Sequence, residues 1–159
     1  MKIKSMMMTM AAVALVFGVS SCGSDDADVP EAPVATQVAG PYTGTETLTV
    51  MGEPDESTET FEFTKATDVS VDVTLPEYGE GMMTIPALPV KGIMLTKSGN
   101  TISGKLDKYE ATTEAGKAYT ISDIVVLFSD NTVVMTFKMK YGNMPFDFEG
   151  QFTGNRLLM

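Results

Sequence analysis

From Thr43 to Phe152 the chain alternates apolar and polar residues with a period of two, a pattern that suits extended strands with one dry face and one wet face. The clearest stretch is Asp68-Val69-Ser70-Val71-Asp72-Val73-Thr74-Leu75, which predicts Val69, Val71, Val73 and Leu75 on one face. Thr43 to Val50 sets Thr45, Thr47 and Thr49 against Leu48 and Val50, and Phe61 and Phe63 flank Glu62 in the next run. Ser98-Gly99-Asn100 turns Val90–Lys97 into Thr101–Lys108, and Asp130-Asn131 turns Lys117–Phe128 into Thr132–Lys140. In that last strand Val133, Met135, Phe137 and Met139 oppose Val134, Thr136, Lys138 and Lys140. After the turn at Tyr141–Pro145, Phe146, Phe148 and Phe152 are expected inside, with Asp147, Glu149 and Gln151 outside. No helical period of useful length appears. About eight strands joined mostly by short hairpin loops predict an all-β, antiparallel up-and-down order.

Such a meander has two open edges unless it closes, and closure into a barrel removes both. Tyr42-Thr43-Gly44 opens the first strand and Phe152-Thr153-Gly154 ends the last, so each candidate edge carries an aromatic with glycine two residues on. With the Val69–Leu75 strand, a Met/Pro loop and the closing Phe148–Gly154, this order resembles the calycin-like β-barrel domains of Bacteroidota lipoproteins. Those are lipocalin-like in shape, and the resemblance covers roughly Tyr42 to Gly154. It implies an eight-stranded barrel. The chain has no tryptophan, so the Gly-x-Trp signature of the lipocalins proper is absent.

The N-terminus reads as a lipoprotein signal peptide over residues 1–21. Lys2 and Lys4 form a basic region, Met6 to Val19 an apolar one, and the small residues Ser20 and Ser21 precede Cys22, the only cysteine. The apolar run is shorter than the ~20 residues that span a bilayer. A conventional cleaved signal would leave an unpaired thiol in an oxidising compartment. Cys22 is therefore the expected lipidation site, and the covalent lipid is the only prosthetic group anticipated. Residues 22–41 read as a tether. Gly23-Ser24-Asp25-Asp26-Ala27-Asp28 resembles the acidic surface-export signal of Bacteroidota lipoproteins, and it equally fits a hydrated, extended linker. Val29 to Gly40, rich in Pro and Ala, fits a semi-rigid spacer. The barrel is expected over 42–154 and a short tail over 155–159. The implied location is the outer membrane, reached through the lipid, with exposure at the cell surface.

Without Lys2 and Lys4 the chain carries 9 basic against 21 acidic residues, a net charge of −12. Such a surface repels nucleic acid and anionic head groups. The chain has no histidine, and no Ser or Lys sits in a nucleophile motif. Zinc, haem and calcium sites of the usual spacing are also missing. Paired acids such as Asp147 with Glu149, or Asp72 with Glu62, could share a sheet face as in glycosidases. Ordinary solvent-facing strand positions account for them as well. Catalysis is not expected.

Eight strands enclose a lumen that side chains can fill or that holds one small ligand. For a small hydrophobic ligand, the irregular Pro76–Pro89 connection could cap one mouth through Met82, Met83, Ile85 and Leu88, above a barrel lining of Phe63, Val71, Met135, Phe137 and Phe148. The same side chains could simply pack. The alternative is a ligand-free structural or protein-interaction module, for which Ile124-Val125-Val126-Leu127-Phe128, apolar at both parities, could form an outer patch around Ile124, Val126 and Phe128. The Arg156–Met159 tail or the Pro76–Pro89 loop could also cover it.

Overall fold

The computed structural model describes residues 31–158. The signal segment, Cys22 and most of the tether lie outside the described residues. From Pro33 onward the chain is one unit. A single helical turn, α1 (Val34–Val38), precedes eight strands: β1 (Gly40–Val50), β2 (Glu53–Thr67), β3 (Ser70–Leu75), β4 (Leu88–Ser98), β5 (Thr101–Thr112), β6 (Ala118–Ser129), β7 (Thr132–Tyr141) and β8 (Phe148–Arg156). Each strand pairs antiparallel with the next, and β8 pairs with β1, so the sheet closes into an up-and-down barrel.

Alternation places the core as the sequence predicts over most of the wall. Val133, Met135, Phe137 and Met139 are buried, as are Phe61, Phe63, Phe148 and Phe152. The β1–β8 seam brings Gly44 opposite Gly154. A methyl group at Gly44 would collide with the Thr153 carbonyl, so the close approach of the two terminal strands depends on that glycine. At the neighbouring seam Phe137 of β7 faces Gly150 of β8 and lays its ring over the glycine. An inward glycine thus makes room for a large ring from across the strand pair.

Four boundaries depart from expectation. The spacer assigned to Val29–Gly40 does not persist to its end: α1 buries Ala35 and Val38 against the barrel core, and β1 begins at Gly40. Isolated propensity gives so short a helix little support, so tertiary packing holds it. Val69 is exposed because it lies in the Asp68–Val69 turn between β2 and β3, while Val71, Val73 and Leu75 keep the predicted inner parity. Ser70, the first residue of β3, is buried beside Val71, with its Oγ 2.7 Å from Thr67 Oγ1. Phe146 precedes β8 and is half-buried, edge-on to Phe148 at 5.4 Å. At the C-terminus, Asn155 and Arg156 belong to β8 and not to a tail.

Arg156 fastens α1 to the closing strand. Its Nη2 donates to the carbonyls of Gln37 (2.6 Å) and Ala39 (3.2 Å), and its guanidinium lies 5.3 Å from the centroid of the Tyr42 ring. The Tyr42 hydroxyl in turn donates to the Val38 carbonyl at 3.1 Å. One mouth of the barrel is thereby plugged.

Candidate functional site

The opposite mouth carries the chemistry. There the β3–β4 connection holds a short 3-10 turn at Gly81–Met83 and a two-residue bridge between Tyr78 and Ile85. Tyr78 donates a 2.6 Å hydrogen bond to Oε1 of Glu46 on β1. Glu46 is fully buried, and its Oε2 has no hydrogen-bond partner. Burial pushes its carboxyl up to about 7; the Tyr78 hydrogen bond opposes the rise and the Glu59 carboxylate adds to it. Burial and the same two carboxylates push the Tyr78 hydroxyl upward, so it stays protonated and donates. Glu46 shares the inner face of β1 with Tyr42, and Glu59 occupies the matching face of β2 opposite Gly44.

Of the residues expected to meet a ligand, Phe63, Val71, Met135, Phe137 and Phe148 all lie in the interior, and Ile85 and Leu88 are buried beneath the loop. Met82 and Met83 do not join them: Met82 is fully exposed and Met83 is 64% exposed, so neither forms an apolar lid. The 3-10 turn swings both side chains outward, leaving Tyr78 and Ile85 to cover the mouth. Within the barrel, Phe61 and Phe152 stack with centroids 4.1 Å apart and planes at 3°. Tyr42, Phe63 and Phe128 form a second cluster, with Phe63–Phe128 edge-on at 5.0 Å. The second cluster brings together β1, β2 and β6 across the interior.

The expected outer patch is inverted in parity. Ile124, Val126 and Phe128 point inward, and Val125 and Leu127 are the exposed members. A cleft of about 350 Å³ opens at the rim between the start of β4 and the β5–β6 turn, lined by Pro86, Ala87, Pro89, Thr112 and Tyr119 among others. The Tyr119 hydroxyl, pushed up to about 12 by burial and by Tyr109, bridges it by donating to the Pro89 carbonyl at 2.7 Å. Among the described residues no group of three or more acidic, His or Cys side chains is arranged to hold a metal ion. Among them, too, no helix is long and apolar enough to cross a membrane.

Glu46 and Tyr78 are absent from the expected site. Glu46 keeps the parity of Tyr42, Leu48 and Val50, and an acid in phase with apolar neighbours was the available signal. Nothing local to Tyr78 announces its partner, which is 32 positions away.

No protein-family model matches the chain, and no curated protein matches it. Among solved structures it is similar to a "putative outer membrane protein" from Bacteroides fragilis NCTC 9343, with a TM-score of 0.67 and 18% identity. The superposition covers 80% of this chain and 54% of that one, so the chain spans about half the length of its structural neighbour. At this identity the likeness is one of fold. A redesigned β-barrel aligns with a TM-score of 0.42 at 13% identity, covering 82% of this chain and all of the design.

Proposed function

We propose that this chain is a lipid-anchored protein of the outer membrane whose calycin-like barrel is a packed scaffold, working through its outer surface on a partner protein. The observation that carries this reading is the aromatic packing of the interior, where buried Tyr42, Phe63 and Phe128 join β1, β2 and β6 and Phe61 stacks on Phe152. A hydrophobic-ligand carrier would need those rings to move. Support for a location at the outer membrane comes from the leader over residues 1–21, which precedes Cys22, and from the fold of the Bacteroides neighbour.

The wall itself favours anchoring over spanning. Glu62, Lys91, Lys105, Lys138, Lys140 and Glu149 all project outward and are exposed. A transmembrane barrel presents an apolar band there, and charges on it are costly. The anchor is then the lipid on Cys22, and the barrel stands in water.

Two measurements test this reading. Metabolic labelling with an alkyne fatty acid should mark the wild-type chain in its host and not Cys22→Ser, with the label in the outer-membrane fraction. Native mass spectrometry of the protein purified from that host should give the mass of the lipidated chain alone. A small molecule released on denaturation would return the barrel to the role of carrier.

A further inference from the structure

The barrel wall is incomplete along β2. This strand pairs with β1 as far as Glu53 opposite Val50, but its register with β3 begins only at Glu62, opposite Thr74. Residues Glu53–Phe61 therefore use one side of their backbone and leave the other unpaired. Exposed strand edges of this length recruit other strands.

The chemistry of this edge is one-sided. Glu53, Asp55, Glu56 and Glu59 lie on it, with neither lysine nor arginine anywhere from Gly40 to Thr64. None of these four carboxylates forms an ion pair among the described residues. Charges on an edge keep copies of a protein from pairing with one another, and the four carboxylates nearest the free backbone serve that purpose here. That role does not account for Glu46. Its fully buried carboxylate lies behind the same two strands, close enough to Glu59 to feel its charge, with Oε2 unpartnered. A buried acceptor left open is costly unless something reaches it.

We propose that the free edge of β2, Asp55–Phe61, docks an extended segment of a partner protein that bears lysine or arginine at alternate positions and joins the barrel as an added strand. This rests on the reading that the barrel acts through its outside, and it names the partner's chemistry. Backbone hydrogen bonds hold the segment, and its cations, all on one face, meet Asp55 and Glu59, which share the parity of the buried Phe61. At the level of Glu59 one inward-pointing cation has Glu46 within the same acidic pair. Pro54, which lacks an N–H, marks the outer limit of the pairing. A second copy of the chain is excluded as occupant by like charge.

The test uses the full-length protein in detergent and a fluorescein-labelled peptide, Thr-Lys-Val-Lys-Thr-Lys-Val, followed by anisotropy. The peptide should bind, more weakly as salt rises. Methylating alternate backbone nitrogens keeps the charge and removes donors, and should weaken binding roughly tenfold or more. A glutamate-for-lysine peptide should not bind. Hydrogen exchange should slow at Asp55–Phe61 on binding. The exposed variant Asp55→Lys should weaken binding of the lysine peptide several-fold, and Glu56→Lys, on the opposite face of the strand, should weaken it less. Equal binding by the methylated peptide, or protection elsewhere, would reduce the effect to charge attraction and overturn strand addition. Absence of peptide binding by a chain whose native mass carries no cargo overturns the edge site alone. Cargo in the barrel overturns the broader reading instead.

Discussion

Tyr78, on the loop that follows β3, holds the buried carboxylate of Glu46 on β1 through a hydrogen bond of 2.6 Å across the mouth of the barrel. The contact joins the covering loop to the wall and makes the mouth sensitive to protonation. In the folded chain the carboxyl titrates near 7, against 4.5 for an unperturbed glutamate. Between these values the folded state binds more protons than the unfolded one, so stability falls as pH rises. The difference corresponds to on the order of 3 kcal/mol. Glu46→Gln keeps an acceptor for Tyr78 and removes the titration. Its melting temperature should depend less on pH between about 4.5 and 7 than that of the wild type, as thermal melts across that window would record. Identical slopes would refute the assignment.

The Phe137–Gly150 pair fixes one seam. Gly150→Ala should cost about 1–3 kcal/mol by overpacking against the ring. Phe137→Leu should cost stability alone and relieve the glycine substitution in combination. Urea unfolding of the two single variants and the double variant checks the coupling, and strict additivity would argue against contact.

The covering loop divides into an outer and an inner half. Met82→Ser and Met83→Ser should leave stability within about 0.5 kcal/mol, because both side chains are in solvent. Ile85→Ala and Leu88→Ala should each cost about 2–5 kcal/mol through lost burial and residual cavity. Denaturant midpoints rank the four directly.

At the plugged mouth, Arg156→Ala should release α1. Loss of the two charge-assisted hydrogen bonds to Gln37 and Ala39 predicts a destabilisation of about 1–3 kcal/mol. It also predicts faster amide exchange at Ala39, whose N–H bonds the Ala35 carbonyl. A chain begun at Gly40 should show a similar loss, since Ala35 and Val38 are then missing from the core.

Period-two alternation carries most of the wall, and it is strongest where strands are regular. In β7 the inner set Val133, Met135, Phe137 and Met139 follows from the residues alone. The Ser98-Gly99-Asn100 turn is equally plain. Alternation fails where a residue falls in a turn or where a polar residue goes inside. The turn at Asp68–Val69 takes Val69 out of β3 and leaves it in solvent, while polar Ser70 is buried at the strand's start, and local composition signals neither. Glu46 is hidden because strand acids ordinarily face water. The helical turn α1 lies in a Pro- and Ala-rich stretch whose burial depends on packing against β2, β3 and β4 and on Arg156, all remote in sequence. Apolar character brings Met82 and Met83 to notice, but the direction of a loop side chain is set by backbone geometry that composition does not encode.

Closure through β1 and β8 also governs how the molecule can form. Gly44 and Gly154, which meet at that seam, are more than a hundred positions apart in sequence. Every other strand pair joins neighbours along the chain and can assemble by local zipping. The final pairing cannot begin until Phe148–Arg156 is free to fold, and until then β1 and β7 each present an uncovered edge. The ring is thus sealed last, by the same strand whose Arg156 locks the plug, so the two events coincide.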